Sequence, residues 1–242
     1  MKNKFKIVLY THSDYIDVAK VFFGETQKYF GDINKVIFIN RDHEDIPNEY
    51  IKIFYDENLS YKNRILQCID KLDDEVILLT HEDMFLYSSP NNKILNEFSE
   101  LINLNKIDFV KLIKVDGHLG KTEIHNNLVM SPKNNMFSIQ PTMCSVEKLK
   151  ILFSHLNSNT IYDIEYEVSN TCLELGLDKS FMCSCDDEKK RGSGHYDSHI
   201  YPYVATAIIK GRWNYLEYSK ELDEILVRYN IDKHQRGLHT VY

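Results

Sequence analysis

No stretch rich in proline, glycine or serine interrupts the 242 residues, so nothing marks a linker and one elaborated domain over 1–242 is expected. No apolar run approaches the roughly 18 to 20 residues needed to cross a bilayer, which excludes a transmembrane helix. The five cysteines are odd in number and scattered, unlike a disulfide framework, and a reducing, cytoplasmic setting is expected. The chain opens on a basic stretch, Met1 to Lys6, but the apolar residues after it stop at Thr11-His12-Ser13-Asp14, too soon for a signal-peptide core. Basic residues form no stripe, and the formal net charge is −7, so a nucleic-acid partner is not expected. A Gly-x-Ser-x-Gly elbow, a Gly-rich dinucleotide fingerprint and a Walker-type loop are all missing, as is any internal repeat.

What is present alternates between two periodicities. Lys6 to Tyr10 is a β-branched, apolar run that ends at a polar cluster, and a helical pattern with Ile16, Ala19, Phe22, Phe23 and Phe30 follows. Further strands are predicted over 35–39, 51–55, 75–79, 109–115 and 136–140. Helices are predicted over 61–72, 92–104, 145–156, 162–175 and 215–229. The uninterrupted run Glu75 to Leu79 reads as a parallel strand buried on both faces. Strands alternating with helices imply βαβ units, hence an α/β fold with a mainly parallel central sheet flanked by helices. Residues 116–135 read as irregular, and 185–199 as an exposed, mobile loop.

Ligands in such sheets bind beyond the carboxyl ends of the strands, and the run 75–79 delivers Glu82 and Asp83 there. Adjacent carboxylates at that place can hold a divalent cation against a diphosphate, or orient sugar hydroxyls directly. The same acids would equally serve to begin a loop or cap a helix. Asp163 and Glu165 can face one cavity from a loop or an extended helix entrance, whereas within a regular helix they diverge by roughly 200°. Cys183 and Cys185, followed by His195 and His199, supply four potential zinc ligands at an unusual spacing. Lys189-Lys190-Arg191 reads as a solvated charge run or as a basic loop able to close over a diphosphate.

The segment Leu78 to Leu86 resembles the Leu-Glu-Asp-Tyr-Phe-Leu hallmark of a family of small bacterial and viral GT-A-like glycosyltransferases. Ser13-Asp14-Tyr15, Tyr61 to Leu66, Phe137 to Pro141, Tyr162 to Glu165, and Tyr201-Pro202-Tyr203 with Lys210 to Trp213 resemble other segments of that family in the same order. His81, Met84 and Asp163 depart from its pattern, and there is no strict Asp-x-Asp, so metal-dependent and metal-independent chemistry both stay open. The resemblance implies a GT-A-like fold in which Thr11, Ser13, Asp14, Arg64, Glu82, Asp83 and Gln140 contact a nucleotide sugar. It also implies that Asp163 or Glu165 serves as the catalytic or acceptor-binding acid. For Arg64, a surface pairing with Asp70 is the competing reading. Mn²⁺ or Mg²⁺ is the expected cofactor if one is used, with Asp83 and His199 as its ligands. The expected activity is glycosyl transfer from a nucleotide-sugar donor to a glycan-type acceptor, with 1–115 as the nucleotide-sugar half and 116–242 as the acceptor half. A non-catalytic nucleotide- or sugar-binding protein is the alternative. A nucleotidyltransferase ranks third, because its Gly-rich N-terminal loop is missing.

Overall fold

The computed structural model describes residues 4–73, 75–184, 189–192 and 194–241. Strand β1 (Lys6–Tyr10) leads through a 3-10 turn (Ser13–Tyr15) into helix α1 (Ile16–Phe30). β2 (Lys35–Ile39), β3 (Tyr50–Phe54), α2 (Tyr61–Ile69), β4 (Val76–His81) and α3 (Asn92–Asn103) continue the alternation. The second half brings β5 (Phe109–Lys111), β6 (Lys114–Val115), β7 (Leu128–Met130), β8 (Thr142–Ser145), α4 (Val146–His155), α5 (Ile161–Glu174) and β9 (Ser180–Cys183). Short strands β10 (Lys190–Arg191), β11 (His195–Tyr196), β12 (Ile208–Ile209) and β13 (Arg212–Asn214) precede α6 (Tyr215–Arg228), α7 (Lys233–Arg236) and β14 (Leu238–His239).

Among the described residues, eight strands form one sheet in the order β3-β2-β1-β4-β8-β5-β9-β7. β3, β2, β1 and β4 are mutually parallel; β8 is antiparallel to both its neighbours, β9 is parallel to β5, and β7 closes the edge antiparallel. The chain is thus an α/β protein with a large, mostly parallel sheet, and strands from both halves share it. Alternation sorts the side chains of the central strands. Ile7, Leu9, Val76 and Leu78 enter a core with α1, α3 and α6, whereas Val8, Tyr10, Ile77 and Leu79 enter the opposite core with α2, α4 and α5. Burial on both faces is why these strands read as continuous apolar runs.

Four expectations need correction. The predicted strand 136–140 lies one segment too early: Pro141 has no N–H to give a ladder, and β8 begins at Thr142. The predicted strand 109–115 splits, because the chain leaves the main sheet after Lys111 and Lys114–Val115 pairs with β11 instead. Residues 116–135 contain β7. Within 189–199, the expected mobile loop is a β10-β11 hairpin. Arg191 is buried there, held by Asp197 at 2.9 Å, the Glu217 carbonyl at 2.6 Å, and Glu221, so it is a structural cation and does not close over a ligand. The rest of the loop prediction, and Cys185 with it, lies outside the described residues.

Helix α6 is tied to α1 by an ion pair between Arg228 and Glu25, whose side chain is 0% exposed. Removing the guanidinium leaves the buried carboxylate only Lys28, 3.6 Å away, which costs more than removing both charges. Arg228→Met is expected to destabilise the fold by about 2 kcal/mol, a Tm loss of roughly 4–8 °C. The double variant with Glu25→Gln should recover more than half of it. Thermal denaturation of the three proteins measures the difference, and equal losses in single and double variants would show that the pair does not couple.

Candidate active site

β1 and β4 lie side by side with Tyr10 opposite His81, so the next residues, Thr11 and Glu82, leave the sheet together at its carboxyl edge. Thr11 is buried, and its carbonyl accepts from the Tyr55 hydroxyl at 2.8 Å. Beyond it the chain is pinned by two side chains: Asn40 Oδ1 accepts from Ser13 N at 2.9 Å and His12 Nδ1 accepts from Asp14 N at 3.1 Å. Ser13 is itself buried, yet its Oγ has no hydrogen-bond partner. Asp14 stands exposed on the rim, 3.5 Å from Arg41.

The acid pair continues β4 into a turn, in which Met84 N donates to the His81 carbonyl at 3.1 Å. A distant segment then covers it. Leu86 bridges Tyr203, Val204 N donates to Phe85 O, and Ala207 N donates to Asp83 O, the last two at 2.9 Å. Burial pushes the Glu82 carboxyl up to about 8, reinforced by the charge of Asp83 and opposed by a hydrogen bond from Thr11. Burial also pushes Asp83 up to about 6, although the backbone N–H of Ile208 partly offsets it. Both acids are thus held above the ordinary carboxylate range, chiefly by burial, as carboxyls at functional sites commonly are.

Aromatic side chains line the wall beside them. Tyr10 stacks on Tyr55 at 5.2 Å and meets Tyr61 edge-on at 5.0 Å. Tyr61 Oη is hydrogen bonded to His81 Nε2 at 3.0 Å, and burial holds the imidazole down to about 4, so it is neutral. Arg64 lies 5.3 Å over the Tyr55 ring and donates to the carbonyls of Leu59, at 2.8 Å, and Glu57. Its expected surface partner, Asp70, is instead paired with Lys150 at 2.5 Å. Opposite, Arg236 grips Asp17, sits 5.2 Å over Tyr15, and lowers the pKa of Glu82 through its charge.

Gln140 lies on the far rim, its Oε1 accepting from Tyr203 Oη at 2.9 Å. Asp163 and Glu165 both lie within the regular helix α5, so the shared-cavity arrangement does not form. Asp163 caps that helix with Thr160, its N donating to Oγ1 at 3.2 Å and its Oδ2 accepting from Oγ1 at 2.6 Å. Glu165 lines an open hollow of about 440 Å³ with Asn134, Asn135, Phe137, Ser138 and Tyr166. It also borders the acid pair's surroundings, because Glu165 and Glu82 both act electrostatically on the buried Tyr61 phenol and help to raise its pKa.

A divalent cation fits the acid pair as a partial site. Among the described residues no three His, Cys, Asp or Glu side chains converge, so the exposed His199 does not complete a ligand set with Asp83 and Glu82. Two carboxylates with phosphate oxygens and water are, however, the set that Mg²⁺ or Mn²⁺ commonly takes. The buried Ser13 Oγ, without a hydrogen-bond partner, lies in the turn after β1 on the same edge. Cys183 is buried within β9, which leaves no zinc-binding cluster among the described residues. Sequence reasoning missed the Tyr10–Tyr55–Tyr61 wall, Asn40, Arg236 and the cover from 203–208. A regular strand-loop pattern marks none of them, since each reaches the edge only through packing.

No protein-family model and no curated protein sequence matches the chain. Among solved structures it aligns with a nucleotidyl transferase from Methanothermobacter thermautotroptrophicus at 10% identity and a TM-score of 0.45, covering 76% of this chain and 88% of that one. It aligns with the mannosyltransferase PcManGT from Pyrobaculum calidifontis, in complex with GDP-Man and Mn²⁺, at 10% identity and 0.48, covering 77% of this chain and 56% of that one. A UDP-glucose pyrophosphorylase complexed with UDP-glucose aligns at 8% identity and 0.46, covering 76% and 90%. The chemistry of the site is therefore read from its own residues.

A carboxyl whose folded pKa lies above its unfolded value stabilises the fold at acidic pH and loses that contribution as pH rises through the folded pKa. The protein without cation is thus expected to lose stability from pH 5 to pH 8.5 through Glu82, raised to about 8. Glu82→Gln should leave Tm nearly unchanged at pH 5 and raise it by about 3–6 °C at pH 8.5. Equal effects at both pH values would mean that Glu82 is not held protonated by the fold.

Proposed function

We propose that the protein is a GT-A-type glycosyltransferase that moves a sugar from a nucleotide-sugar donor to a hydroxyl of a glycan-type acceptor. The observation that carries this reading is the desolvated acid pair, Glu82 and Asp83, at the carboxyl end of a central parallel strand beside the turn that follows β1. In this reading residues 1–115 supply most of the donor side. Thr11, Ser13 and Asp14 border the nucleotide sugar in the turn that follows β1. Arg64 stiffens the loop behind Tyr55 by donating to the Leu59 carbonyl, and so fixes the wall beside the strand ends. Glu82 and Asp83 would hold a divalent cation, which neutralises the diphosphate as it leaves.

Residues 116–242 supply the acceptor side. Gln140 marks the boundary, and Glu165, exposed in its hollow, takes the proton from the attacking hydroxyl as the bond from the anomeric carbon to the diphosphate breaks. Tyr166, 86% exposed on the same helix turn, offers a ring for a sugar of the acceptor. Asp163 keeps the helix capped and takes no part in the transfer.

A thermal-shift screen of UDP-, GDP-, CMP- and dTDP-sugars with Mn²⁺, Mg²⁺ or EDTA tests the donor side. One nucleotide class is expected to stabilise the protein, by about 2.7 kcal/mol at a hundredfold excess over Kd. Asp83→Asn should abolish the cation-dependent part. Glu165→Gln should keep donor binding and lower turnover by about 100-fold or more. Unchanged turnover in both variants would remove the proposed roles. Donor binding without transfer to any acceptor or hydrolysis would favour a binding protein on the same scaffold.

A further inference from the structure

Lys111 is the last residue of β5, and its side chain is fully buried. Among the described residues no carboxylate pairs with it. Its Nζ donates to the backbone carbonyl of Asn135 and, at 2.9 Å, to that residue's Oδ1, so two of the three N–H bonds of an ammonium are used. A buried cation without a counter-ion is costly, and the fold does not require one at a strand end.

The lysine lines a hollow of about 220 Å³, distinct from the one that Glu165 lines. The two hollows share Asn135 and Ser138. Gln140, His195 and Thr206 add polar groups, and Ile113, Val115 and Met182 supply apolar wall. No aspartate or glutamate lines it among the described residues, although the chain as a whole carries a formal charge of −7. Thr206 immediately precedes Ala207, whose N–H holds the Asp83 carbonyl, so the hollow adjoins the acid pair. Its size suits one sugar ring and is too small for a nucleotide.

We propose that this hollow is a subsite for a carboxylate-bearing sugar, a uronate or a similar acidic residue, with Lys111 as the group that binds the carboxylate. An entering carboxylate supplies a counter-charge that none of the described residues gives, and a charge-assisted hydrogen bond forms where a neutral sugar offers only a hydroxyl. Asn135 holds the amine at the wall of the hollow, while Gln140 and Thr206 meet ring hydroxyls. Burial lowers the Lys111 pKa to about 7, and a bound anion would raise it again by favouring the charged amine. The class of ligand, a sugar, rests on the transferase reading; the preference for an anion rests on the hollow alone.

Direct binding of methyl glucuronoside and methyl glucoside to the wild-type protein, by calorimetry without nucleotide or metal, is the first arm. UDP-glucuronate against UDP-glucose is the second. At least ~10-fold tighter binding of the acidic member of one pair is expected, with the pair that shows it telling whether the carboxylate arrives on the acceptor or on the donor. Lys111→Met should erase that preference and leave the neutral member of the pair unchanged. Because a lowered lysine pKa costs stability most below that pKa, Lys111→Met should also raise Tm at pH 6, with the gain shrinking towards pH 10. No carboxylate preference in either pair, or one that survives Lys111→Met, overturns the proposal. The first arm needs neither donor nor turnover, so its failure leaves the transferase reading standing.

Discussion

The register between β1 and β4 is the constraint on which the site depends. Both strands lie inside the sheet, and their alternate residues enter two different cores. A slip of one residue would exchange every side chain between those cores, so the pairing of Tyr10 with His81 is held by all the apolar burial around it. Thr11 and Glu82 then have no freedom to separate. Precision at the edge of the sheet is bought by packing several residues behind it, where each large apolar side chain contributes about 1.5–3 kcal/mol.

From that edge outward the structure accumulates unbalanced charge. Glu82 and Asp83 crowd together under the 203–208 cover, where burial favours their protonated forms. Lys111 is buried at the end of β5, separated from β4 by β8, without a carboxylate partner among the described residues. Charges used for architecture look different: Arg191 is matched by Asp197 and Glu221, and Arg228 by Glu25. Buried charge that is not matched in this way costs stability, a cost that functional sites commonly carry.

Much of the fold was legible because β1, β2 and β4 are buried on both faces, so their composition alone announces them. Where pairing depends on a remote partner the reading failed. Pro141 moved a strand to 142–145, and Lys114–Val115 left the main sheet for a hairpin more than 70 residues away in sequence. A loop or extended entrance would let Asp163 and Glu165 face one cavity, and the regular first turn of α5 separates them instead.

The sequence by itself determined the α/β alternation and the arrival of Glu82 and Asp83 at a strand end, because side-chain periodicity and chain direction are local properties. Only the tertiary structure decided how those acids ionise, that Arg236 faces Glu82, that His199 stands apart, and that Lys111 opens on a hollow. Desolvation and electrostatic partnership depend on which distant segments pack together, and no local pattern encodes that.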